Sequence, residues 1–247
     1  GLWIGGRGWA LLVAAWFLVA VLALPRAAFL DRGLAALAGA AASAAVLLRV
    51  APEVWGAIDW TVRASLWAGA SDAVAVGGAR FGQSPWWPEA TEMMYRLAEL
   101  QARLFPALLA LASLAGLAAA WFVYGRVARG ESGPLGALRE FRFRDELVWL
   151  LIVGIVLIVA PLGDAAPRIG ANLVAFMGAL YAMRGVAVVV ALAGTPGLPG
   201  VVLATLAAVF LYPLVMAAMF LVGLTDTWLD LRGRTPSRDP GSGESGP

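Results

Sequence analysis

Long apolar runs separated by short polar segments dominate this chain. Six runs are candidate membrane spans, at about 9–24, 34–48, 104–124, 147–162, 171–193 and 198–222. A helix rises 1.5 Å per residue, so a hydrocarbon core of about 30 Å needs roughly 20 residues, and the first two runs are short by that measure. The pattern predicts an all-α, polytopic transmembrane helical bundle of about six spans, with seven as the alternative count.

The segment 51–103 has a different pattern, with charges every few residues and several tryptophans. Its first part carries apolar side chains at helical spacing, at Trp55, Ile58, Val62 and Leu66. This spacing predicts an amphipathic helix that lies in the membrane interface, and the Pro85–Pro88 stretch with its two tryptophans predicts an anchor at headgroup level. A second amphipathic stretch, 92–103, is expected to continue without a break into the third span.

The remaining segments define the predicted domain. Residues 1–232 form a single transmembrane domain, and the Pro/Gly/Ser-rich tail 233–247 is predicted to be disordered. Pro213 is expected to kink the sixth span. The chain begins with glycine, which predicts a processed protein or a fragment of a longer one.

Composition agrees with a membrane protein and excludes several chemistries. The chain is 61% hydrophobic and 14% charged, whereas soluble domains carry about 25% charged residues. Cysteine and histidine are absent, which excludes disulfides, thiol nucleophiles, Cys/His zinc sites and histidine acid–base catalysis. No phosphate-binding loop, metalloprotease motif or nucleophile elbow is present. We therefore expect no catalytic residue, no metal, no cofactor and no enzyme activity.

The charge distribution bears on partners and location. All 18 basic residues are arginines, and they do not form a basic run with interleaved aromatics, so no nucleic-acid partner is expected. The expected surroundings are the lipid bilayer of a bacterial inner membrane, crossed several times. With six spans, the side that holds both ends of the chain has more arginines, which places the termini in the cytoplasm, although the arginine-rich connector 125–146 points the other way.

Arg184 is the one ionisable residue well inside an apolar run. A charge at a helix centre costs about 2.5–3.5 kcal/mol on insertion scales, so it marks a functional site or needs a partner. Two interpretations are about equally favoured: the side chain snorkels toward the nearer membrane face, or it points inward and binds a small anionic ligand. For the inward case, Tyr181, one turn earlier, and Thr205, at similar depth in the sixth span, are the predicted neighbours.

A second polar cluster is predicted at the opposite membrane face. Its members flank the start of the fifth span and the end of the sixth: Asp164, Arg168, Asn172, Asp226, Asp230 and Arg232. A structural ion-pair network is favoured over a ligand site, because two carboxylates offer too few oxygens for a metal. Asn172 lies roughly 18 Å of helix from Arg184, so this depth argument leaves Arg184 without an acidic partner in its own half of the membrane.

Short motifs carry a resemblance over about 125–232. These are Phe-Arg-Phe-Arg-Asp-Glu-Leu-Val-Trp at 141–149, Ala-Asn-Leu at 171–173, Arg-Gly-Val-Ala-Val-Val at 184–189 and Gly-Leu-Thr-Asp-Thr-Trp-Leu-Asp-Leu-Arg at 223–232. They resemble the YybS-like family of bacterial membrane proteins. That family is distantly similar to the small-molecule-binding subunits of energy-coupling vitamin transporters. The resemblance implies a membrane helical fold and a polar site near Arg184.

Three functions follow from these observations, in decreasing order of support. The first is a transporter-like or small-ligand-binding membrane subunit with an anionic ligand at Arg184. The second is a structural or regulatory protein that docks a membrane protein partner through segment 51–103. The third is an intramembrane enzyme that uses Asp226 or Asp230.

Overall fold

The structure, a computed structural model, describes residues 2–129, 141–163, 165–193 and 197–229, and most of these residues are α-helical. Nine α-helices lie in these ranges: α1 (Leu2–Ala23), α2 (Phe29–Val50), α3 (Glu53–Phe81), α4 (Trp87–Arg103), α5 (Phe105–Tyr124), α6 (Val148–Val159), α7 (Ala165–Ala193), α8 (Leu198–Phe210) and α9 (Tyr212–Leu229). The predicted all-helical membrane fold is confirmed.

Five of these helices are long and apolar enough to cross a membrane, where the sequence predicts six spans. Four of them, α1, α2, α5 and α7, coincide with predicted spans. The predicted span 147–162 contains only the 12-residue α6, which is too short for a 30 Å core. Pro161 follows α6, and Gly163 adopts a φ of 91° in the turn that leads into α7.

The sixth predicted span is wrong as a continuous helix. The chain breaks at Leu211, and the membrane-length helix is α9, which extends to Leu229 instead of ending at 222. Pro213 explains the break, because its ring removes a backbone N–H and clashes with the carbonyl four residues earlier. This shift in helix boundaries moves Asp226 from a position after the span into a helix.

Segment 51–103 folds into two helices, α3 and α4, that pack against each other. The rings of Trp67 and Tyr95 lie 5.0 Å apart between them. The expected continuous helix into the third span is also wrong: α4 ends at Arg103, and Leu104 separates it from α5. The break precedes Pro106, the second residue of α5.

The described residues belong to two compact units. The first takes in Gly1–Leu135 and Trp149–Phe176, and the second takes in Gly136–Val148 and Met177–Pro247, so that α7 contributes to both. In the first unit α1 and α2 pack against each other, and α5 contacts both. The predicted domain end at 232 and the predicted tail 233–247 lie outside the described residues, and the single domain stays a prediction.

Helix α7 is the most buried of the five membrane-length helices. In its most apolar stretch 44% of the residues are buried, against 11–22% in the other four. Its close contacts use glycine at two places. In the first unit a Cβ on Gly170 would lie 2.5 Å from the Gly154 carbonyl oxygen of α6, and in the second unit a Cβ on Gly223 of α9 would overlap the Tyr181 carbonyl oxygen of α7. At both places the neighbouring helix backbones are in direct contact.

Candidate functional site

Arg184 lies on a buried face of α7 in the second unit. Tyr181 and Val188, one turn before and one turn after it, share that face and are fully buried. Only 2% of the Arg184 surface is exposed. The snorkelling interpretation is therefore wrong, and the guanidinium points into protein.

Two carboxylates hold the Arg184 guanidinium. Its Nε–H donates to Asp226 Oδ2 at 3.0 Å, and Nη2–H donates to the Asp226 backbone carbonyl oxygen at 3.3 Å. Its Nη1–H donates to Asp145 Oδ1 at 2.8 Å. The two acids differ in exposure: the Asp226 side chain is fully buried, whereas the Asp145 side chain is 60% exposed.

The contact between α7 and α9 depends on two glycines. A Cβ on Gly185 would overlap the Met219 carbonyl oxygen, and a Cβ on Gly223 would overlap the Tyr181 carbonyl oxygen. Small residues of this kind let helix backbones approach closely in membranes. Because Asp226 follows Gly223 by one turn, this close approach brings its carboxylate to Arg184.

The segment before α6 covers this cluster. Phe143 is 6% exposed, and the Arg184 guanidinium carbon lies 5.3 Å from its ring centroid, within cation–π range. The same ring meets the edge of Tyr181 at 5.0 Å, and Tyr181 also contacts Phe220 at 6.1 Å. Asp145 follows in a short 3-10 turn, Asp145–Leu147. The cluster is thus closed on this side by one aromatic ring and one carboxylate.

Two hydroxyl groups beside Arg184 and Asp226 complete the polar cluster. Tyr181 Oη and Thr227 Oγ1 are buried, and neither has a hydrogen-bond partner in the part of the chain that the structure describes. The Thr227 hydroxyl lies beside that of Tyr181 and interacts with it. Buried polar groups are normally paired, and both hydroxyls retain the capacity to bond to a further polar group.

The predicted separation of Arg184 from Asp226 is wrong. It rested on a continuous helix over 198–222, which put Asp226 at the opposite membrane face. The break at Leu211 and the extension of α9 to Leu229 remove that premise, and the two side chains form a buried ion pair. Thr205 lies in α8 with an exposed side chain, while the acidic partners of Arg184 come from α9 and from the segment 141–147.

Two residues of the second predicted cluster, Arg168 and Asn172, form polar contacts in the first unit. Arg168 forms an ion pair with Asp59 of α3, donates to the Ala102 carbonyl oxygen at 3.3 Å and lies 5.1 Å from the Trp55 ring centroid. Asp59 in turn lies 3.6 Å from Arg63, which pairs with Glu99 of α4. The predicted structural ion-pair network is present for Arg168, with partners in α3 rather than in α9.

The carboxylates of this network are stabilised in their charged form. The hydrogen bond from Arg168 holds the pKa of Asp59 below its ordinary value, with partial desolvation opposing it. The hydrogen bond from Arg63 likewise lowers the pKa of Glu99, and the same bond raises the pKa of Arg63. The network is therefore ionised throughout the neutral pH range.

Asn172 bridges the break between α4 and α5. Its Oδ1 accepts the Ala107 N–H at 2.9 Å, and its Nδ2 donates to the Arg103 carbonyl oxygen at 2.9 Å and to the Arg168 carbonyl oxygen at 2.8 Å. In a continuous helix the Ala107 N–H would bond to the Arg103 carbonyl. The amide of Asn172 is inserted between these two groups and satisfies both.

Three predicted residues, Asp164, Asp230 and Arg232, lie outside the described residues. The sequence interpretation missed Asp145 and Phe143 as partners of Arg184, and Asp59 as the partner of Arg168. The signal for Asp145 was available, because a buried arginine needs an acid and Asp145 lies in one of the motifs noted at 141–149. Among the residues that the structure describes, no three acidic side chains converge in a way that could hold a metal ion.

The sequence matches the family described as "Predicted membrane protein (DUF2232)" over residues 79–227. This match covers more than half of the chain, and the protein therefore belongs to that family. No curated protein and no solved structure matches the chain. The membrane-protein family predicted from the motifs of 125–232 is confirmed, while the YybS-like name stays a prediction.

Proposed function

We propose that this member of the DUF2232 family is a transporter-like or small-ligand-binding subunit of the bacterial inner membrane. Its binding site is the cluster around Arg184, and its ligand carries a negative charge. The proposal rests on one observation: Arg184 is buried and holds two carboxylates, one of which is largely exposed.

The difference in exposure between the two carboxylates explains why this observation indicates binding. Asp226 is fully buried, and it is bound at Nε through its carboxylate and at Nη2 through its backbone carbonyl. Asp145, which is bound at Nη1, keeps most of its side-chain surface exposed. A guanidinium edge that holds an exposed carboxylate has the chemistry of an anion-binding group.

The resemblance to YybS-like proteins, and through them to the binding subunits of vitamin transporters, supports a binding role at the level of the fold. Tyr181, buried beside Arg184, belongs to the proposed site, and Thr205 stays a predicted contact. The proposal contains no bond-making step and so describes a protein that is not an enzyme.

The proposal is tested with purified protein in detergent and a panel of small carboxylates, sulfonates and phosphates. We expect at least one anion to raise the thermal unfolding midpoint of the wild type. The variant R184Q/D226N removes both buried charges with similar side-chain shapes, so it avoids an unpaired buried charge, and we expect it to lose this response.

The matched control is Arg168→Gln, which changes an arginine of the same helix that belongs to the other network. This variant should keep the response. An equal response in R184Q/D226N, or the absence of a response in the wild type, contradicts the proposal.

A second candidate function is docking of a membrane protein partner on α4. The observation that favours it is a row of exposed apolar side chains at helical spacing on an otherwise polar helix, Met93, Leu97 and Leu100. Because the chain contains no cysteine, a single cysteine at position 97 can be cross-linked in native membranes, with position 96 as the control on the charged face. A cross-linked species at 97 that is absent at 96 supports docking, and equal labelling of both contradicts it.

The location of the termini is also part of the proposal. Cytoplasmic placement of both ends needs an even number of crossings, so the number of crossings must differ from the five membrane-length helices of the described residues, and the six spans predicted from the sequence satisfy this condition. Single cysteines placed in the natural cysteine-free background and labelled from one side of the membrane test it. The side of the membrane from which positions 27 and 83 are labelled, compared with the side from which the ends are labelled, would identify which helices cross.

A further inference from the structure

The arrangement around Arg184 indicates more about the ligand than its sign of charge. We infer that Asp145 occupies the position of a ligand carboxylate, and that the ligand is a small monocarboxylate with a hydroxyl or carbonyl group beside its carboxylate. This inference rests on the proposed function, since it describes the occupant of the same site.

The charge of the cluster favours a single negative charge on the ligand. At Nη1 of Arg184 the cluster holds one carboxylate, that of Asp145, and therefore one negative charge. A monocarboxylate that replaces Asp145 keeps this balance. A phosphate monoester would bring about −1.5 to −2 charges next to the buried carboxylate of Asp226, which is unfavourable in a low-dielectric setting.

The geometry at Nη1 favours a carboxylate. Asp145 accepts from Nη1–H through one oxygen at 2.8 Å, while Asp226 is bound at Nε and Nη2. The group that Nη1 binds in this structure is therefore a carboxylate, held at the ordinary length of a charge-assisted hydrogen bond. An external carboxylate can take the same position when Asp145 moves away.

The two unpaired hydroxyls supply the second recognition element. A buried polar group is stabilised when it gains a hydrogen-bond partner, and Tyr181 Oη and Thr227 Oγ1 can each accept one more partner. Both can donate and accept, and Tyr181 lies one turn from Arg184. A ligand hydroxyl or carbonyl next to the carboxylate satisfies them, whereas a purely aliphatic chain does not.

The covering segment has to move for a ligand to enter. Phe143 lies over Arg184 and against Tyr181, and Asp145 is two residues further along the same segment. Loss of the Asp145 contact releases the segment at its charged end. The internal carboxylate thus competes with the ligand and holds the cover closed when no ligand is present.

The first test measures binding of lactate and of propionate, which differ by one hydroxyl group. We expect Asp145→Ala to bind lactate about tenfold more tightly than the wild type, because the internal carboxylate that competes for the charge-assisted hydrogen bond at Nη1 is gone. Glu146→Ala is the matched control: Glu146 is also exposed but pairs with Arg144, so lactate affinity should not change.

The second test concerns the hydroxyls. In the Asp145→Ala background lactate should bind about two- to tenfold more tightly than propionate, the range expected for one net hydrogen bond. The double variant Y181F/T227V keeps the side-chain shapes and should abolish this difference by weakening lactate only. Thr225→Val is the control, because its exposed hydroxyl bonds to the Leu221 carbonyl.

Failure of the inference and failure of the proposed function give different results. If lactate affinity is unchanged or weaker in Asp145→Ala, while other anions still need Arg184, the inference is overturned and the proposed function stands. Equal binding of lactate and propionate, or a lactate preference that survives Y181F/T227V, overturns the ligand class. If no anion of the panel responds to R184Q/D226N, the proposed function itself fails.

Discussion

Arg168 and Arg184 lie on the same helix, α7, yet they have very different surroundings. The Arg168 side chain is 29% exposed and belongs to a row of ion pairs that reaches solvent through α3 and α4. The Arg184 side chain is 2% exposed, and its pair with Asp226 is fully buried. The comparison shows that the contribution of an ion pair to stability depends on its access to water rather than on the residue types that form it.

The largest expected effect comes from unpairing the buried charges. Arg184→Gln removes the buried counter-charge to which Asp226 is bonded and should lower the free energy of unfolding by about 3–5 kcal/mol. R184Q/D226N should recover most of that loss, because it removes both charges of the buried pair. Denaturant unfolding in mixed micelles measures both. A double variant as unstable as the single one would show that the pair stabilises the fold by more than mutual neutralisation.

The next largest effect on stability is expected at Asn172, whose side-chain amide forms hydrogen bonds within the first unit. Asn172→Ala removes the partner of the partly buried Ala107 N–H, and an unmade bond of a buried group costs about 1–3 kcal/mol, whereas water can replace the exposed bond to the Arg103 carbonyl. We expect lower unfolding free energy and faster hydrogen exchange at Ala107. Gln101→Ala, an exposed amide of α4, is the control and should change neither. Unaltered exchange at Ala107 would mean that the amide does not support the break.

Both halves of α7 pack closely against a neighbouring helix at glycine residues. Gly223→Ala places a methyl group against the Tyr181 carbonyl and the Gly185 amide, and Gly170→Ala places one against the Gly154 carbonyl. Each should cost about 1–3 kcal/mol of unfolding free energy, the range for overpacking. The control is Gly178→Ala, whose Cβ would have no atom within 4 Å. Equal stabilities of the three variants would show that the helices separate at no cost.

The smallest effect is expected at Arg168. Arg168→Gln should lower the unfolding free energy by no more than about 1 kcal/mol at neutral pH, since the pair is partly exposed and screened by salt. The pKa of Asp59 is lowered in the folded protein, so this contribution is present above about pH 4 and is lost as the pH falls below that value. The variant should therefore lose less stability on acidification than the wild type. Parallel acid titrations would disprove this.

The sequence was sufficient for the class of fold, because helix length and apolarity are local properties. It failed at places where a break depends on a residue elsewhere. Pro213 indicated a kink, but the resulting shift of α9 to Leu229 could not be read from hydropathy. The break at Leu104 precedes Pro106, but the amide that bonds to the Ala107 N–H there belongs to Asn172, 65 residues away.

The candidate site was predicted in part for the same reason. Arg184 and Tyr181 were found because a lone charge in an apolar run and its neighbour one turn away are visible in one helix. Asp226 was assigned to the wrong end because depth was counted along an unbroken helix. Asp145 and Phe143 come from a segment outside any predicted span, and their contacts with Arg184 depend on tertiary packing alone.

The break at Leu104 also has a consequence for biogenesis. Because the chain enters the membrane from its N-terminal end, α4 and α5 leave the ribosome before Asn172 has been synthesised. In hydrocarbon an unpaired amide or carbonyl costs several kcal/mol, and Pro106 disfavours the continuous helix in which the Ala107 N–H and the Arg103 carbonyl would bond to each other. We therefore expect water to satisfy both groups in the nascent segment, which keeps this end of α5 in contact with water until translation has delivered α7.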